Sequence, residues 1–163
     1  MRAQLINTHL HERRLAGTMP IYCAQGPDVS TSVEHPLVLL VEDDRDGRLM
    51  YAEWLQQAGF RVEQAHNGLQ ALERAFDVLP AAVVTDLNIP GIDGYELTRR
   101  LKADERTTRI PIIAVTGYAP FTQDPSRADR AGCDAIIPKP CLPEDLESTI
   151  RSLLANDRHT RSA

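Results

Sequence analysis

Four positions with reactive side chains each stand directly after, or close behind, a short apolar run. Glu42-Asp43 follow Leu37–Val41, and Asp86 follows Ala81-Ala82-Val83-Val84-Thr85. Thr116 follows Ile110–Val115, and Lys139 comes just after Ala135-Ile136-Ile137. If these runs are neighbouring parallel strands, all the groups meet in the crevice beyond the strands' carboxyl ends. Three carboxylates in one small crevice repel each other unless a cation sits among them. Oxygen-only ligands favour Mg2+ or a similar hard ion that keeps several waters. A lysine beside them supplies a mobile point charge for a phosphoryl oxygen. A threonine hydroxyl can donate to another. Carboxylates, hard cation, lysine and hydroxyl together describe a phosphoryl-transfer site whose nucleophile is a carboxylate, forming an acyl phosphate. Such transfer depends on positioning and on neutralising the equatorial oxygens.

Taken singly, each residue has a plainer reading. Glu42-Asp43-Asp44 also reads as a solvated acidic turn or a helix cap. Asp86 also reads as a turn residue ahead of Pro90-Gly91, and Thr116 as a local backbone hydrogen-bonder. Lys139 is one of only two lysines, with Lys102, in a chain that otherwise uses arginine, and that favours a dedicated role.

The elements that must position these groups follow from the hydrophobic pattern. Leu37–Val41, Phe60–Ala65, Ala81–Thr85, Ile110–Val115 and Ala135–Ile137 are expected strands, most of them continuous apolar runs covered on both faces. Helices are expected at about Asp46–Ala58, with Leu49, Ala52 and Leu55 on one face, and from Asn67-Gly68 with Ala71, Leu72 and Ala75. Two more are expected at Tyr95–Ala103 and about Pro125–Ala131. The last opens at Pro143-Glu144-Asp145, carries Leu146, Ile150, Leu153 and Leu154, and frays from Ala155. Five strand–helix units in strict alternation imply an α/β fold, a parallel sheet with helices on both faces.

Leu39–Asp44, Thr85–Gly94, Ala114–Gly117 and Ala131–Pro140 together resemble the receiver domain of bacterial two-component response regulators, over about residues 37–155. The resemblance implies a flavodoxin-like (βα)5 sandwich with strand order 2-1-3-4-5. It implies that Asp86 is the phosphoacceptor, served by a phosphohistidine on a sensor histidine kinase or a histidine phosphotransfer protein. Asp43 then matches a direct Mg2+ ligand, Glu42 the acid beside it, and Asn88 a backbone-carbonyl ligand. Thr116 and Lys139 match the holders of the phosphoryl oxygens, and Lys139-Pro140 the family's usual cis peptide. The implied product is a phosphorylation-controlled switch for an unknown downstream protein, as a monomer or weak homodimer. A phosphorelay intermediate and an unphosphorylated interaction scaffold are the alternatives. Asn88, where a phosphohydrolase would carry a second carboxylate, ranks true hydrolytic turnover last, so the expected chemistry is self-modification. Ile136 stands where many receivers carry Tyr or Phe, so an aromatic swing is replaced here by loop and backbone shifts around Thr116-Gly117-Tyr118.

The remaining composition sets limits. The 163 residues suit one domain, and 18 Lys+Arg against 23 Asp+Glu leave a net charge of −5, unlike a nucleic-acid binder. The apolar runs are too short to span a bilayer, and Met1–Leu5 lacks a signal-peptide core, so a cytoplasmic location is expected. Cys23, Cys133 and Cys141 form no C-x-x-C pair and read as buried or half-buried thiols. His9 and His11 read as solvated. Residues 1–35 read as a flexible extension (translation from Met19 is conceivable), 36–157 as the receiver and 158–163 as a disordered tail. No output domain is expected after it.

Overall fold

A computed structural model describes residues 35–117 and 126–161, with side chains through residue 156. The expectations for the extension (residues 1–34), for Tyr118 to Pro125, which includes Phe121, and for residues 162–163 lie outside the described residues.

Each apolar run becomes a strand because both faces find a helix. The strands are β1 (Leu37–Val41), β2 (Arg61–Ala65), β3 (Ala82–Thr85), β4 (Ile112–Thr116) and β5 (Ala135–Pro138). The helices are α1 (Arg45–Gln57), α2 (Gly68–Val78), α3 (Gly94–Ala103), α4 (Ser126–Ala131) and α5 (Pro143–Arg161). The strands form one parallel sheet in the order β2-β1-β3-β4-β5. This is the flavodoxin-like order expected above.

Strand alternation divides the core. Val38 and Leu40 of β1 face Ala52 and Leu55 of α1 and Leu146 and Ile150 of α5. Leu39 and Val41 face Ala71 and Ala75 of α2 and Leu97 and Leu101 of α3. A third cluster joins Leu87, Tyr95 and Ala114 to Ala128 and Ala131 of α4, with Ile136 packed against it. The sheet order changes direction between β1 and β3, which opens the crevice at their carboxyl ends.

Three expectations need correction. Leu49 is 47% exposed, and Tyr51 takes its place on the buried side of α1 beside Ala52 and Leu55. The inward arc is rotated about the helix axis away from Leu49 and toward Tyr51 and Leu55. β4 starts at Ile112 rather than Ile110, with Ile110 closing a turn onto the Thr107 carbonyl. α5 continues past Ala155 to Arg161, so residues 158–161 are helical rather than a disordered tail. Once a helix is nucleated on a packed face, each added residue costs little.

Two glycines seat the helices against the segment that leaves β3. A Cβ on Gly94 would fall on the Asp86 carbonyl oxygen and within 2.8 Å of Leu87 Cα. A Cβ on Gly68 would fall on the Ile92 carbonyl oxygen. Both are backbone contacts that no side-chain rotation relieves. Gly94→Ala must therefore push α3 away from the Asp86 peptide. We expect a loss of about 1–3 kcal/mol of unfolding free energy in a urea titration, the range for overpacking. Wild-type stability in that variant would contradict the close approach.

Candidate functional site

The crevice is built from the ends of three strands. β1 delivers Glu42 and Asp43, β3 delivers Asp86, and β5 delivers Lys139. The loop after β1 turns at once into α1. Asp44 caps that helix, its Oδ2 accepting from Gly47 N at 2.6 Å, while its own N–H donates to Glu42 Oε1 at 3.4 Å. The cap and the acidic pair are thus parts of one turn.

Glu42, Asp43 and Asp86 each offer an oxygen, and these lie within 4.8 Å of one another. Glu42 and Asp86 are buried and Asp43 is exposed. Lys139 Nζ donates to Glu42 Oε2 and to Asp86 Oδ2, each at 2.6 Å. The other Asp86 oxygen accepts from Asn88 N at 2.9 Å. Thr116 is buried at the end of β4, and its carbonyl accepts from Lys139 N at 3.0 Å. The sequence therefore brings the three carboxylates and Lys139 together, with Asn88 on the loop after β3 and Thr116 at the end of β4. The Lys139-Pro140 peptide is cis, as the resemblance implied. Lys102, the other lysine, binds Asp134 Oδ2 at 2.8 Å and Ile110 O at 3.0 Å.

The electrostatics are those of an acidic pocket with one internal cation. Burial pushes the Glu42 carboxyl above its usual range, outweighing the hydrogen bond and charge of Lys139. Burial alone would lower the Lys139 ammonium. The hydrogen bonds and charges of Asp86 and Glu42 outweigh it and hold that ammonium above the ordinary lysine range. All potential ligands here are carboxylate or carbonyl oxygens, a donor set that suits a hard divalent cation.

Some supporting residues escaped the pattern. Tyr51 donates its hydroxyl to Cys141 O at 3.4 Å, fastening α1 to the chain just after the cis peptide. Burial, with Cys141 beside it, pushes its phenol up to about 12, so it remains a neutral donor. Arg48 donates to the Glu42 carbonyl at 2.6 Å and the Asp43 carbonyl at 3.3 Å. Its place four residues after the cap was the only available signal. Cys133 is half-buried and Cys141 buried, as expected, and burial raises both thiols.

The Lys139 balance has a signed consequence. A raised lysine stabilises the fold fully below the unfolded-state value and loses that contribution as pH climbs through the folded-state value, above about 10.4. A raised Glu42 likewise favours folding at low pH and opposes it at neutral pH, where it is ionised. Lys139→Met removes the cation and leaves both carboxylates buried and unpaired. It should cost about 2 kcal/mol at pH 7, the scale of charged hydrogen bonds. Lowering the pH from 7 to 5 favours the neutral form of the raised Glu42 carboxyl, so the deficit should shrink. Urea titrations at the two pH values measure it, and a deficit that grows toward pH 5 would contradict the balance.

Known proteins share this chain's sequence pattern and fold. Residues 38–151 match the family described as the response regulator receiver domain. The polar-differentiation response regulator DivK of Brucella anthropi is 33% identical over 119 residues, covering 73% of this chain and 96% of DivK. Response regulator Rre1 of Synechocystis is 34% identical over 130 residues, which cover 78% of this chain but only 56% of Rre1; the chain thus spans about half the length of that relative. Among solved structures, the chemotaxis response regulator CheY4 of Vibrio cholerae aligns with a TM-score of 0.68 at 27% identity, over 73% of this chain and 98% of CheY4. The receiver domain of a sensor histidine kinase from Pseudomonas aeruginosa PAO1 aligns with a TM-score of 0.69 at 29% identity, over 74% of this chain and 98% of that one. That structure has a magnesium ion coordinated in its active-site cleft. Sheet order, acidic crevice and sequence match agree: the chain belongs to the response regulator receiver domain family, the signalling modules of two-component systems.

Proposed function

We propose that Asp86 accepts a phosphoryl group from a histidine of a sensor kinase or a histidine phosphotransfer protein, and that its phosphorylation switches the binding of a downstream protein. One observation carries this reading. The Asp86 carboxylate is held between Lys139 and the Asn88 amide, within 4.8 Å of the oxygens of two further carboxylates.

The residues fit a Mg2+ ion. Glu42, Asp43 and Asp86 with the Asn88 carbonyl are an oxygen-only set, and the exposure of Asp43 leaves one side open to waters. When bound, the ion would offset charge on the acidic cluster and on the phosphoryl oxygens. The chain's own groups do the rest. An Asp86 oxygen forms the bond to phosphorus as the bond to the donor histidine breaks. Lys139 exchanges its Asp86 oxygen for a phosphoryl oxygen, and the Thr116 hydroxyl donates to another. The carboxylate's single negative charge becomes about −2, which biases the surrounding loops between two arrangements. Ile136, partly buried against the cluster of Leu87, Tyr95 and Ala114, lacks an aromatic ring to swing, so the readout runs through the loops.

Phosphate transfer from a labelled histidine kinase tests the reading. Wild type should take up label in Mg2+ and take up little when Mg2+ is chelated beforehand, and Asp86→Asn should take up none. Equal incorporation in Asp86→Asn would contradict it. Onward passage of the label to a histidine phosphotransfer protein would identify a relay rather than a terminal switch.

A further inference from the structure

Among the described residues beside the pocket, Arg48 is a cation that neither the acidic cluster nor the phosphoryl chemistry accounts for. It lies in the first turn of α1, where its own N–H closes a helical bond to Asp44 O at 3.0 Å. Its side chain doubles back toward the strand end. A single guanidinium nitrogen there donates to two consecutive carbonyls, Glu42 at 2.6 Å and Asp43 at 3.3 Å. Asp43, Asp44 and Asp46 are all close in sequence, yet among the described residues no carboxylate forms an ion pair with Arg48. The guanidinium is committed to backbone.

That choice has a geometric result. Two carbonyls converging on one donor restrict the torsions of Glu42 and Asp43, and so the directions in which both side chains leave the chain. Glu42 and Asp86 are additionally held at their carboxylates by Lys139. The exposed Asp43 carboxylate has no cation partner among the described residues. Its aim toward the other two therefore depends on its backbone alone. A planar guanidinium, already rigid, fixes that backbone with little added entropy loss.

We propose that Arg48 is the positioning residue for Asp43, holding the peptide after β1 so that Asp43 points into the acidic cluster and sets the affinity for a divalent cation. The proposal rests on the reading of Asp43 as a metal ligand. A purely electrostatic role predicts the opposite sign, since removing a cation from beside an acidic pocket would strengthen Mg2+ binding.

The experiment uses the full chain with Arg48→Met, which keeps the aliphatic stem, and Arg48→Lys, which keeps one donor. Mg2+ affinity is measured by titration calorimetry, and amide hydrogen exchange at Asp43 and Asp44 is measured without metal. Arg48→Met should weaken Mg2+ binding about tenfold, the scale for residues that orient metal ligands, and speed exchange at both amides. Arg48→Lys should recover part of each effect, and serves alone if Arg48→Met does not fold. Unchanged or tighter Mg2+ binding would overturn the proposal. If wild type binds no Mg2+, the metal reading fails first, and exchange at Asp43 and Asp44 still decides the tether: unchanged rates in the variants would overturn it.

Discussion

The ammonium of Lys139 lies 2.6 Å from both Glu42 and Asp86, and it crosses from the end of β5 to the ends of β1 and β3. That contact offsets the central conflict of this fold. A parallel sheet in the order β2-β1-β3-β4-β5 delivers the strand-end residues to one crevice, whatever their charge. Here it delivers three carboxylates, two of them buried. Burying and gathering them costs free energy, and the Glu42 carboxyl, raised chiefly by burial and further by the charge of Asp86, records that cost. One ammonium cannot balance three negative charges. The remaining negative excess is what the proposed divalent cation would offset.

The rest of the structure serves this concentration of charge. Leu39 and Val41 pack on α2 and α3, while Val38 and Leu40 pack on α1 and α5, so β1 cannot slide without exposing one layer. Gly94 lets α3 start against the Asp86 peptide, and Asp93 caps that helix by accepting from Glu96 N at 2.7 Å. Tyr51 and Arg48 reach from α1 to the backbones on either side of the crevice. A hydrophobic scaffold thereby holds a polar arrangement that would not assemble by itself.

Much of this was legible in the residues. β1 has the bounds its apolar run implied, and the three carboxylates and Lys139 converge as their spacing implied, with Thr116 at the neighbouring strand end. Burial on both faces makes such strands continuous in sequence, so the reactive side chains that follow them stand out as a set. The less legible features depend on conformation rather than composition. Leu49 lies at the margin of the inward arc of α1, where a small rotation of the helix decides burial. The length of α5 beyond Ala155 follows from cooperative propagation, not from an apolar period. Arg48 and Tyr51 act on backbone carbonyls, whose directions exist only after the loops have folded. The Gly94 contact likewise appears only once α3 is docked.

The most direct measurement of the charge account is wild-type unfolding free energy as a function of Mg2+ concentration, followed by denaturant titration at pH 7. If the cluster is held together against its own repulsion and binds the ion only when folded, stability rises with Mg2+. The gain should reach about 2.7 kcal/mol at a hundredfold excess over the dissociation constant. A stability that stays flat, or falls, across that range would contradict it.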